Sequence, residues 1–329
     1  MALSSAFVSA HIAKWEAALD QIYQHYRRQW PRYLFHHAPL DNAVRILRDG
    51  NLRSRNDLQS NSDFTDVAAP GVIDARSHAH QSARLYFRPR TPTQWHIEGI
   101  RKQNECTYSA ATHAPVLVMF VFDATSVLEL PSTMFCDRNM QLSSACPGND
   151  EAYFSQIPFT KVYHVGGTGG DKSITEHRCA EVLAPSPLPL DSHLKQIYCR
   201  TAAERATLLY LLGDKAAEWA PKISISNDLQ LFERRFTFVN EVTLSNEAIV
   251  WELNGRLDAQ KIEIKLDVYD RNNNSIIAYA NNNMDARPSA PSTKWRIGRS
   301  IPDGEYLVSI YLEGHLAYQN KIALIKNLF

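Results

Sequence analysis

A glycine-rich segment, Gly166–Ser173, combines residue types and spacing that suggest phosphate chemistry. It has the spacing of a P-loop, except that Asp171 replaces the last glycine before the lysine. The backbone N–H groups of a P-loop surround phosphate oxygens, so a carboxylate at this position would repel the ligand. We therefore expect a mobile glycine loop here rather than a nucleotide-binding motif.

Histidine and cysteine residues provide the other familiar routes to catalysis. His78 and His80 have no carboxylate or cysteine partner at the spacing of metal ligands. The chain also lacks the His-x-Glu and Cys-x-x-Cys pair of the zinc base deaminases. Its five cysteines form no Cys-x-x-Cys pair and no recognisable nucleophile motif. The sequence predicts reduced thiols and no metal.

A more specific pattern consists of segments that follow one another in a fixed order. They are Tyr33–His37 with Asn42, Ile46–Gly50, Leu52–Leu58, Ile73–Arg76, Leu85–Pro92 and Arg178–Leu183. In order and spacing this set resembles the DarT family, toxin ADP-ribosyltransferases that modify bases in single-stranded DNA and have relatives that modify RNA. The resemblance covers about residues 30–215. It implies a mixed α/β ADP-ribosyltransferase-like domain that uses NAD as a substrate and no metal.

The resemblance assigns catalytic roles to two residues. The family's catalytic glutamate, at the end of its strand, corresponds to Glu181. The arginine of its Ile-x-x-Arg-Arg segment corresponds to Arg76, although Ser77 stands in place of the second arginine. The stretch between Arg76 and Tyr86 is also shorter than in relatives of the family. The match at Glu181 is therefore the stronger one.

The resemblance also indicates which residues bind NAD. The family's Thr-His pair corresponds to His36-His37, so His37 is the NAD-binding histidine. The following asparagine of the family corresponds to Asn42, two residues further along. The Arg-Asn step after the glycine turn corresponds to Arg55 and Asn56.

The expected chemistry requires these residue types independently of the resemblance. Breaking the nicotinamide–ribose bond passes through an oxocarbenium-like state, as other glycosyl transfers do. A carboxylate such as Glu181 can stabilise that charge or accept a proton from the attacking base, and an arginine can clamp the pyrophosphate. Neutral histidine and asparagine side chains can bind ribose and amide groups. Alternatively, Glu181 forms a structural ion pair with Arg178 at a sheet edge, and Arg76 and His37 have no special role.

A basic cluster with interspersed aromatic residues suggests a surface for nucleic acid. Its members are Arg84, Arg88, Arg90, Arg101 and Lys102, around Tyr86, Trp95 and Tyr108. Arginines that contact phosphates and aromatic rings that stack on bases are typical of single-strand binding, so we predict contacts from Arg84, Arg88, Arg90 and Trp95. The alternative is a salt-bridged face neutralised by Asp74, Glu98 and Glu105.

Local patterns predict the elements that position these residues. An amphipathic helix should span residues 11–30 and stop at Pro31, and a second should begin at Asp41 and stop at Gly50. The apolar run 116–122 and residues 180–184 should be buried strands. A capping box at Thr201 should open a helix that runs to Gly213.

Beyond residue 228 apolar and polar residues alternate with the period of β-strands. The clearest examples are Ile262, Ile264, Leu266 and Val268, and Tyr306, Val308, Ile310 and Leu312. We predict an α+β protein with a catalytic domain at 1–228 and an antiparallel, immunoglobulin-like β-sandwich at 229–329. Two interpretations of the sandwich remain: a separately folding recognition module, or a domain that covers the helix near 201–212 and is needed for folding.

Bulk composition narrows the class of protein. Lys+Arg and Asp+Glu both number 35, so a nucleic acid must be held by a local patch. The longest apolar run is far shorter than a membrane span, and no signal peptide is recognised at residues 1–10, so we expect a cytoplasmic protein without membrane contact.

The leading functional hypothesis is a toxin that transfers ADP-ribose from NAD to a base of single-stranded nucleic acid and is restrained by an antitoxin, possibly with a chaperone. Such a toxin would act in a toxin–antitoxin or anti-phage system. An unpaired base is the economical substrate because its edge is accessible. The choice between DNA and RNA depends on contacts to the 2′-hydroxyl, which the sequence does not show. The alternatives are a protein ADP-ribosyltransferase and a non-catalytic NAD-binding interaction protein.

Overall fold

The computed structural model describes residues 2–59, 80–106, 113–254, 261–285 and 294–325. It divides into two compact units that interleave along the chain. The first contains Met1–His96, Met119–Tyr198 and Ser226–Glu233, and the second contains Ile97–Val118, Cys199–Ile225 and Arg234–Phe329. The domain boundary at 228/229 stays a prediction, since each unit draws on segments from both sides of it.

Short helices surround a central sheet in the first unit. The helices are α1 (Ser5–Leu19), α2 (Leu40–Asp49), α3 (Arg55–Gln59), α4 (Pro92–Ile97), α5 (Ala124–Leu128), α6 (Glu151–Gln156), α7 (Phe159–Val162), α8 (Lys172–His177) and α9 (Leu190–His193), with a 3₁₀ helix at His25–Arg32. The strands are β1 (Tyr33–Pro39), β2 (Asn51–Leu52), β3 (Ala83–Tyr86), β4 (Leu117–Asp123), β5 (Met134–Cys136), β6 (Glu181–Ala184), β7 (Leu188–Pro189) and β8 (Leu194–Tyr198).

The sheet of the first unit places β6 in its interior. Its strands are hydrogen-bonded in the order β5-β6-β3-β1-β4-β8, and β2 pairs separately with β7. The predicted apolar strand is confirmed as β4, in which every residue from Leu117 to Phe122 is buried. The predicted strand at 180–184 is confirmed as β6, and all of its residues are buried. Burial on both faces explains these continuous apolar runs.

The predicted helix over 11–30 is wrong in its extent. The helix begins at Ser5, where Ser4 caps it, and ends at Leu19. Ile22 and Tyr23, which continue the apolar spacing, are exposed in a turn. A separate 3₁₀ helix accommodates Pro31. The second predicted helix is present as α2, but its predicted start is wrong: the helix begins at Leu40 after Pro39, and Asp41 lies in the first turn instead of capping it. Its predicted stop is confirmed at Gly50, which has a left-handed φ of 70° that glycine adopts without strain.

The second unit is built around an antiparallel sandwich. Its helices are α10 (Ala202–Leu212) and α11 (Ala216–Trp219), with 3₁₀ turns at Gln103–Glu105, Gly213–Lys215 and Ala220–Lys222. Its strands are β9 (Ile223–Ser224), β10 (Phe238–Leu244), β11 (Ala248–Asn254), β12 (Lys261–Asp270), β13 (Ser275–Asp285), β14 (Lys294–Gly298), β15 (Gly304–Leu312) and β16 (His315–Leu324). One sheet has the order β10-β11-β14 and the other β13-β12-β15-β16, which confirms the predicted sandwich.

Helix α10 is part of the sandwich core. Ala203 is buried in the same apolar cluster as Trp251 and Ile264, which belong to the two different sheets. Thr207 Oγ1 accepts a hydrogen bond of 3.0 Å from the Gln319 N–H of β16. Thr201 caps the helix through a 3.1 Å bond from the Glu204 N–H, as the capping box predicts. This packing favours the interpretation in which the sandwich covers the helix.

Residues 226–233 belong to the first unit. The Trp30 indole N–H donates to the Leu229 carbonyl at 3.0 Å, and the Gln94 amide donates to the Leu231 carbonyl at 2.9 Å. A chain ending near residue 225 therefore loses partners of two buried side chains in the first unit, together with the sheets that cover α10. We expect such a truncation to compromise folding, contrary to the interpretation of a separable sandwich.

Candidate active site

Glu181 occupies the first position of β6, in the interior of the sheet. In the antiparallel register it lies opposite Tyr86 of β3 on one side and Cys136 of β5 on the other. Directly opposed residues project from the same face of a sheet, so these three side chains form a row. Tyr86 is in turn opposite Phe35 of β1, and His37, two residues further along β1, shares that face.

The Glu181 carboxyl is fully buried and sparsely paired. Within the described part of the chain, neither of its oxygens has a hydrogen-bond partner of ordinary geometry. Arg84 Nη2 lies 3.8 Å from Oε2. Burial raises the pKa of Glu181, while the charge of Arg84 and the main chain of Met140 act in the opposite direction. A carboxylate left this underpaired in the interior is available to a ligand, because buried carboxylates otherwise have partners.

Arg178 is not the partner of Glu181. Its Nη2 donates to His164 Nδ1 at 2.6 Å and to the Gly166 carbonyl at 2.5 Å. Strand β6 also lies between β5 and β3 rather than at the sheet edge. The interpretation of Glu181 as a structural ion pair with Arg178 is therefore wrong.

A stacked pair of rings adjoins the carboxylate. The His37 ring lies parallel to the Tyr86 ring, with centroids 5.4 Å apart and planes inclined by 5°. Burial and the neighbouring His36 lower the pKa of His37 to about 3, so its imidazole is neutral at neutral pH. His36 projects from the other face, and its Nδ1–H donates to the Arg84 carbonyl at 2.9 Å. A neutral His37 can bind a ligand through one donor and one acceptor nitrogen.

The other predicted cofactor-binding residues lie beyond the C-terminal ends of β1 and β6. Asn42 is buried in the first turn of α2. Arg55 and Asn56 open α3. This segment is tied to the chain just after β6, because the Ser54 N–H donates to Ser186 Oγ at 2.7 Å and Ser186 Oγ donates to Asp57 Oδ2 at 2.5 Å. The predicted catalytic Arg76 lies outside the described residues.

Comparisons with known proteins bear on the family of this chain. A family model described as "DarT: ssDNA thymidine ADP-ribosyltransferase" matches residues 35–231, which is more than half of the chain. The chain belongs to the DarT family. It is thus an NAD-dependent ADP-ribosyltransferase with the predicted fold class, and NAD is its ADP-ribose donor.

Three solved structures are similar to part of this chain. Thermus sp. 2.9 DarT in complex with ADP-ribosylated ssDNA is 21% identical, with a TM-score of 0.48 over 60% of this chain and 96% of that one. The same protein in complex with NAD+ is 20% identical, with a TM-score of 0.44 over 59% and 96%. Thermosipho africanus DarTG in complex with ADP-ribose is 14% identical, with a TM-score of 0.44 over 65% and 53%. A comparison with curated proteins finds no match.

The residues predicted to contact nucleic acid differ in their exposure and in their partners. Arg84 lies beside Glu181, as described above. Arg90 Nε is 3.5 Å from Glu233 Oε2 and its side chain is 28% exposed. Trp95, in α4, is 42% exposed. For Arg84, Arg90 and Trp95 contact with nucleic acid stays a prediction.

Arg88 is an interior residue of the first unit, and its predicted contact with nucleic acid is wrong. The residue is 3% exposed. Its guanidinium donates to the carbonyls of Pro89, Val162 and His164 and lies 5.1 Å from the Trp30 ring. Main-chain carbonyls accept the hydrogen bonds that a phosphate would otherwise accept from Arg88. The role of Arg88 is structural, because these bonds join the chain around residue 163 to the end of β3.

The segment that resembles a P-loop is a turn before α8. Asp171 caps this helix by accepting from the Ser173 N–H at 2.9 Å, and it pairs with Lys161 Nζ at 3.1 Å. Its carboxylate thus occupies the helix terminus that a phosphate would require. Within the described ranges no three histidine, cysteine, aspartate or glutamate side chains come together as a metal site. Among the helices described, none combines the length and apolar character that a bilayer crossing requires.

Two groups near Glu181 escaped sequence reasoning. The strand period places Tyr86 and Arg84 on the same face as Glu181. A two-residue alternation around Leu85 would have indicated this. The Met140 main chain and Ser186 belong to loops, and no local signal in the sequence links them to Glu181.

Proposed function

We propose that this chain transfers ADP-ribose from NAD to a thymine base in single-stranded DNA, with Glu181 as the catalytic carboxylate. The observation that carries the proposal is the fully buried, underpaired carboxylate in the same sheet face as the His37–Tyr86 stack. The DarT family assignment supports the reaction type and the acceptor.

The proposed reaction breaks the bond between the nicotinamide nitrogen and the ribose. Nicotinamide leaves with the electron pair of that bond, and the Glu181 carboxylate stabilises the positive charge that develops on the ribose. A nitrogen of the base then attacks the anomeric carbon and loses its proton to Glu181. Burial raises the pKa of Glu181, and Arg84, close to Oε2, acts in the opposite direction and so favours the ionised carboxylate.

Binding of NAD is assigned to residues at one end of the strands. We propose that His37 and Asn42 bind ribose or amide groups of NAD, that Arg55 and Asn56 contribute from α3, and that Arg76 clamps the pyrophosphate. The ties from Ser54 and Asp57 to Ser186 support this grouping, because they hold α3 to the chain that follows Glu181.

In the cell, we propose, the chain acts as a cytoplasmic toxin. A bulky, charged ADP-ribose on a template base obstructs copying of that strand, so an active enzyme requires restraint. A partner antitoxin, alone or with a chaperone, would supply that restraint, and such a pair would serve as a toxin–antitoxin or anti-phage system.

Mass spectrometry of oligonucleotides incubated with NAD and the full chain tests the proposal. The substrates are a DNA strand with one thymidine, the same strand without thymidine, the RNA equivalent and a protein mixture. We expect the mass of one ADP-ribose on the first strand, and none with Glu181→Gln. Modification of the RNA alone, or of protein alone, would show that this molecule and not DNA is the acceptor. NAD binding without any transfer would favour a non-catalytic protein.

A further inference from the structure

The strands around Glu181 have two ends with different chemistry. At one end, beyond the Ala83–Ala184 pair, lie Ser186 and the segment tied to it, which leads into Arg55 and Asn56 of α3. At the other end, beyond the Tyr86–Glu181 pair, the ladder continues through the Phe87 N–H and the Ala180 carbonyl at 3.4 Å. Arg90 and Arg178 flank this second end. Glu181 therefore lies between the segment tied to Ser186 and a pair of arginines.

Guanidinium groups converge near the second end. Arg27 Nη1 donates to the Tyr163 carbonyl at 2.8 Å, and Arg88 donates to the neighbouring carbonyls of Val162 and His164. Arg178 donates to the His164 ring. All of these contacts fall on three consecutive residues of the chain. The cluster concentrates positive charge around His164.

Among the described residues, Glu233 is the carboxylate that acts on the arginines of this cluster. Glu233 is in ion-pair contact with Arg90, and its charge also acts on Arg88 and Arg178. Burial, together with Arg178 and Arg90, lowers the pKa of Arg88 to about 9. Burial also lowers the pKa of His164, and the charges of the nearby arginines, of which Arg178 has the largest effect, lower it further. Mutual repulsion of this kind is relieved by an anion.

Arg178 keeps unused donor capacity. Its Nε is buried and has no hydrogen-bond partner within the described residues. The turn that follows His164 is open, because a Cβ placed on Gly166 or Gly170 would meet no atom of the described residues within 4 Å. Arg90 is partly exposed and only two residues from α4, which carries the exposed Trp95.

We propose that Arg90 and Arg178 bind a backbone phosphate of the single-stranded acceptor. This inference rests on the proposed function and adds a site that holds the strand while its base reaches Glu181. A base that attacks the ribose on the face opposite the departing nicotinamide approaches from the side away from the donor, and the cluster lies at the end of the strands away from Ser186 and α3. Arginine suits the role because it offers several donors to one phosphate.

Binding of a fluorescent thymidine-containing DNA strand to the full chain, without NAD and at several salt concentrations, tests the site. Arg90→Gln and Arg178→Gln should each weaken binding about tenfold. Each should also reduce the slope of log K against log salt by about 0.7, the value for one lost phosphate contact on a single strand. Glu233→Gln should tighten binding, a gain that misfolding does not produce.

Arg205→Gln is the matched control. Arg205 is also half-buried and donates to two carbonyls, those of Ile223 and Ala220, in the second unit. We expect it to keep the affinity and salt slope of the original chain. Unchanged slopes in both Arg90→Gln and Arg178→Gln, or a loss of NAD affinity with intact DNA binding, would overturn the site.

A separate transfer assay distinguishes this inference from the proposed function. Arginine-dependent DNA binding without any ADP-ribose transfer would refute the function and leave the phosphate site standing. Transfer of ADP-ribose to DNA, together with a salt slope that neither arginine variant changes, would support the function and refute the phosphate site.

Discussion

Glu181 and Glu204 are both fully buried glutamates, one in each compact unit, and their surroundings differ sharply. Glu204 forms an ion pair with Arg200, whose Nε donates to its two oxygens at 2.9 and 3.1 Å. Its Oε2 also accepts from the Arg200 N–H at 3.0 Å. Glu181 has one arginine at 3.8 Å and, within the described residues, no hydrogen bond of ordinary geometry.

The Glu204 pair is part of a closed network that joins the segments of the second unit. Arg200 Nη1 lies 3.6 Å from Glu98 Oε1, which also accepts from the Arg234 N–H at 3.1 Å. Burial disfavours the charge of Arg200, but Glu204 and Glu98 outweigh it and raise the pKa of this arginine. The network connects residues near 98, 200 and 234, which are distant in sequence.

The comparison shows that burial alone does not identify a functional carboxylate. A structural glutamate has its lone pairs occupied by donors of the same protein, whereas a catalytic one leaves them available to a substrate. On this criterion we assign Glu204 to stability and propose Glu181 for the reaction. The variants below test this division.

Glu204→Ala should have the largest effect on stability. Removing one partner of a buried ion pair leaves Arg200 uncompensated, and typically lowers the free energy of unfolding by about 3–5 kcal/mol. Urea denaturation of the full chain measures the loss. Glu218→Ala is the control, because its pair with Lys215 is exposed and should contribute at most about 1 kcal/mol. Equal effects of the two substitutions would contradict a structural role for Glu204.

Glu181→Gln should have the largest effect on the reaction. Loss of one electrostatic stabiliser of a transition state typically lowers the rate by about 10²–10³, and we expect the turnover of NAD and oligonucleotide to fall by that factor. Because the folded pKa of Glu181 is raised, its ionised form opposes folding at neutral pH. The variant should therefore be at least as stable as the original chain in the same urea titration. A variant that keeps more than about a third of the turnover, against the expected loss, would remove Glu181 from the chemistry.

His37→Ala should weaken NAD binding more modestly. The loss of a hydrogen bond from a neutral side chain typically corresponds to about 0.5–1.5 kcal/mol, or roughly threefold to tenfold in affinity. Calorimetric titration with a non-hydrolysable NAD analogue measures it. His36→Ala is the matched control, because His36 donates to the Arg84 carbonyl from the other face of the same strand. Equal losses of NAD affinity in both variants would indicate damage to β1 instead of a lost contact.

Arg84→Gln should shift the pH dependence of transfer. Arg84 holds down a pKa that burial raises, so its removal should raise the pKa of Glu181 further. If the carboxylate form is active, the acid limb of kcat/KM moves to higher pH. Arg32→Gln, which removes an exposed partner of Glu16, should leave the limb in place. A limb that moves to lower pH in Arg84→Gln would contradict the assigned electrostatics.

Much of this protein could be predicted from local sequence. The unbroken apolar run of β4, the glycine stop of α2 at Gly50 and the cap at Thr201 depend on neighbouring residues, whose steric and hydrogen-bonding demands act within a few positions. The family resemblance identified Glu181 and the order of the segments around it. The alternation beyond residue 228 indicated the sandwich.

The tertiary structure decided which partners these residues have. Strand pairing placed Arg84 beside Glu181 and left Arg178 with His164, although Arg178 is nearer in sequence. It buried Arg88 among main-chain carbonyls and grouped α10 with the sandwich. These outcomes depend on the register of strands distant in the chain, and no pattern within a single segment specifies that register. The sequence by itself determined most of the elements and the candidate glutamate, while long-range pairing decided which charges surround it.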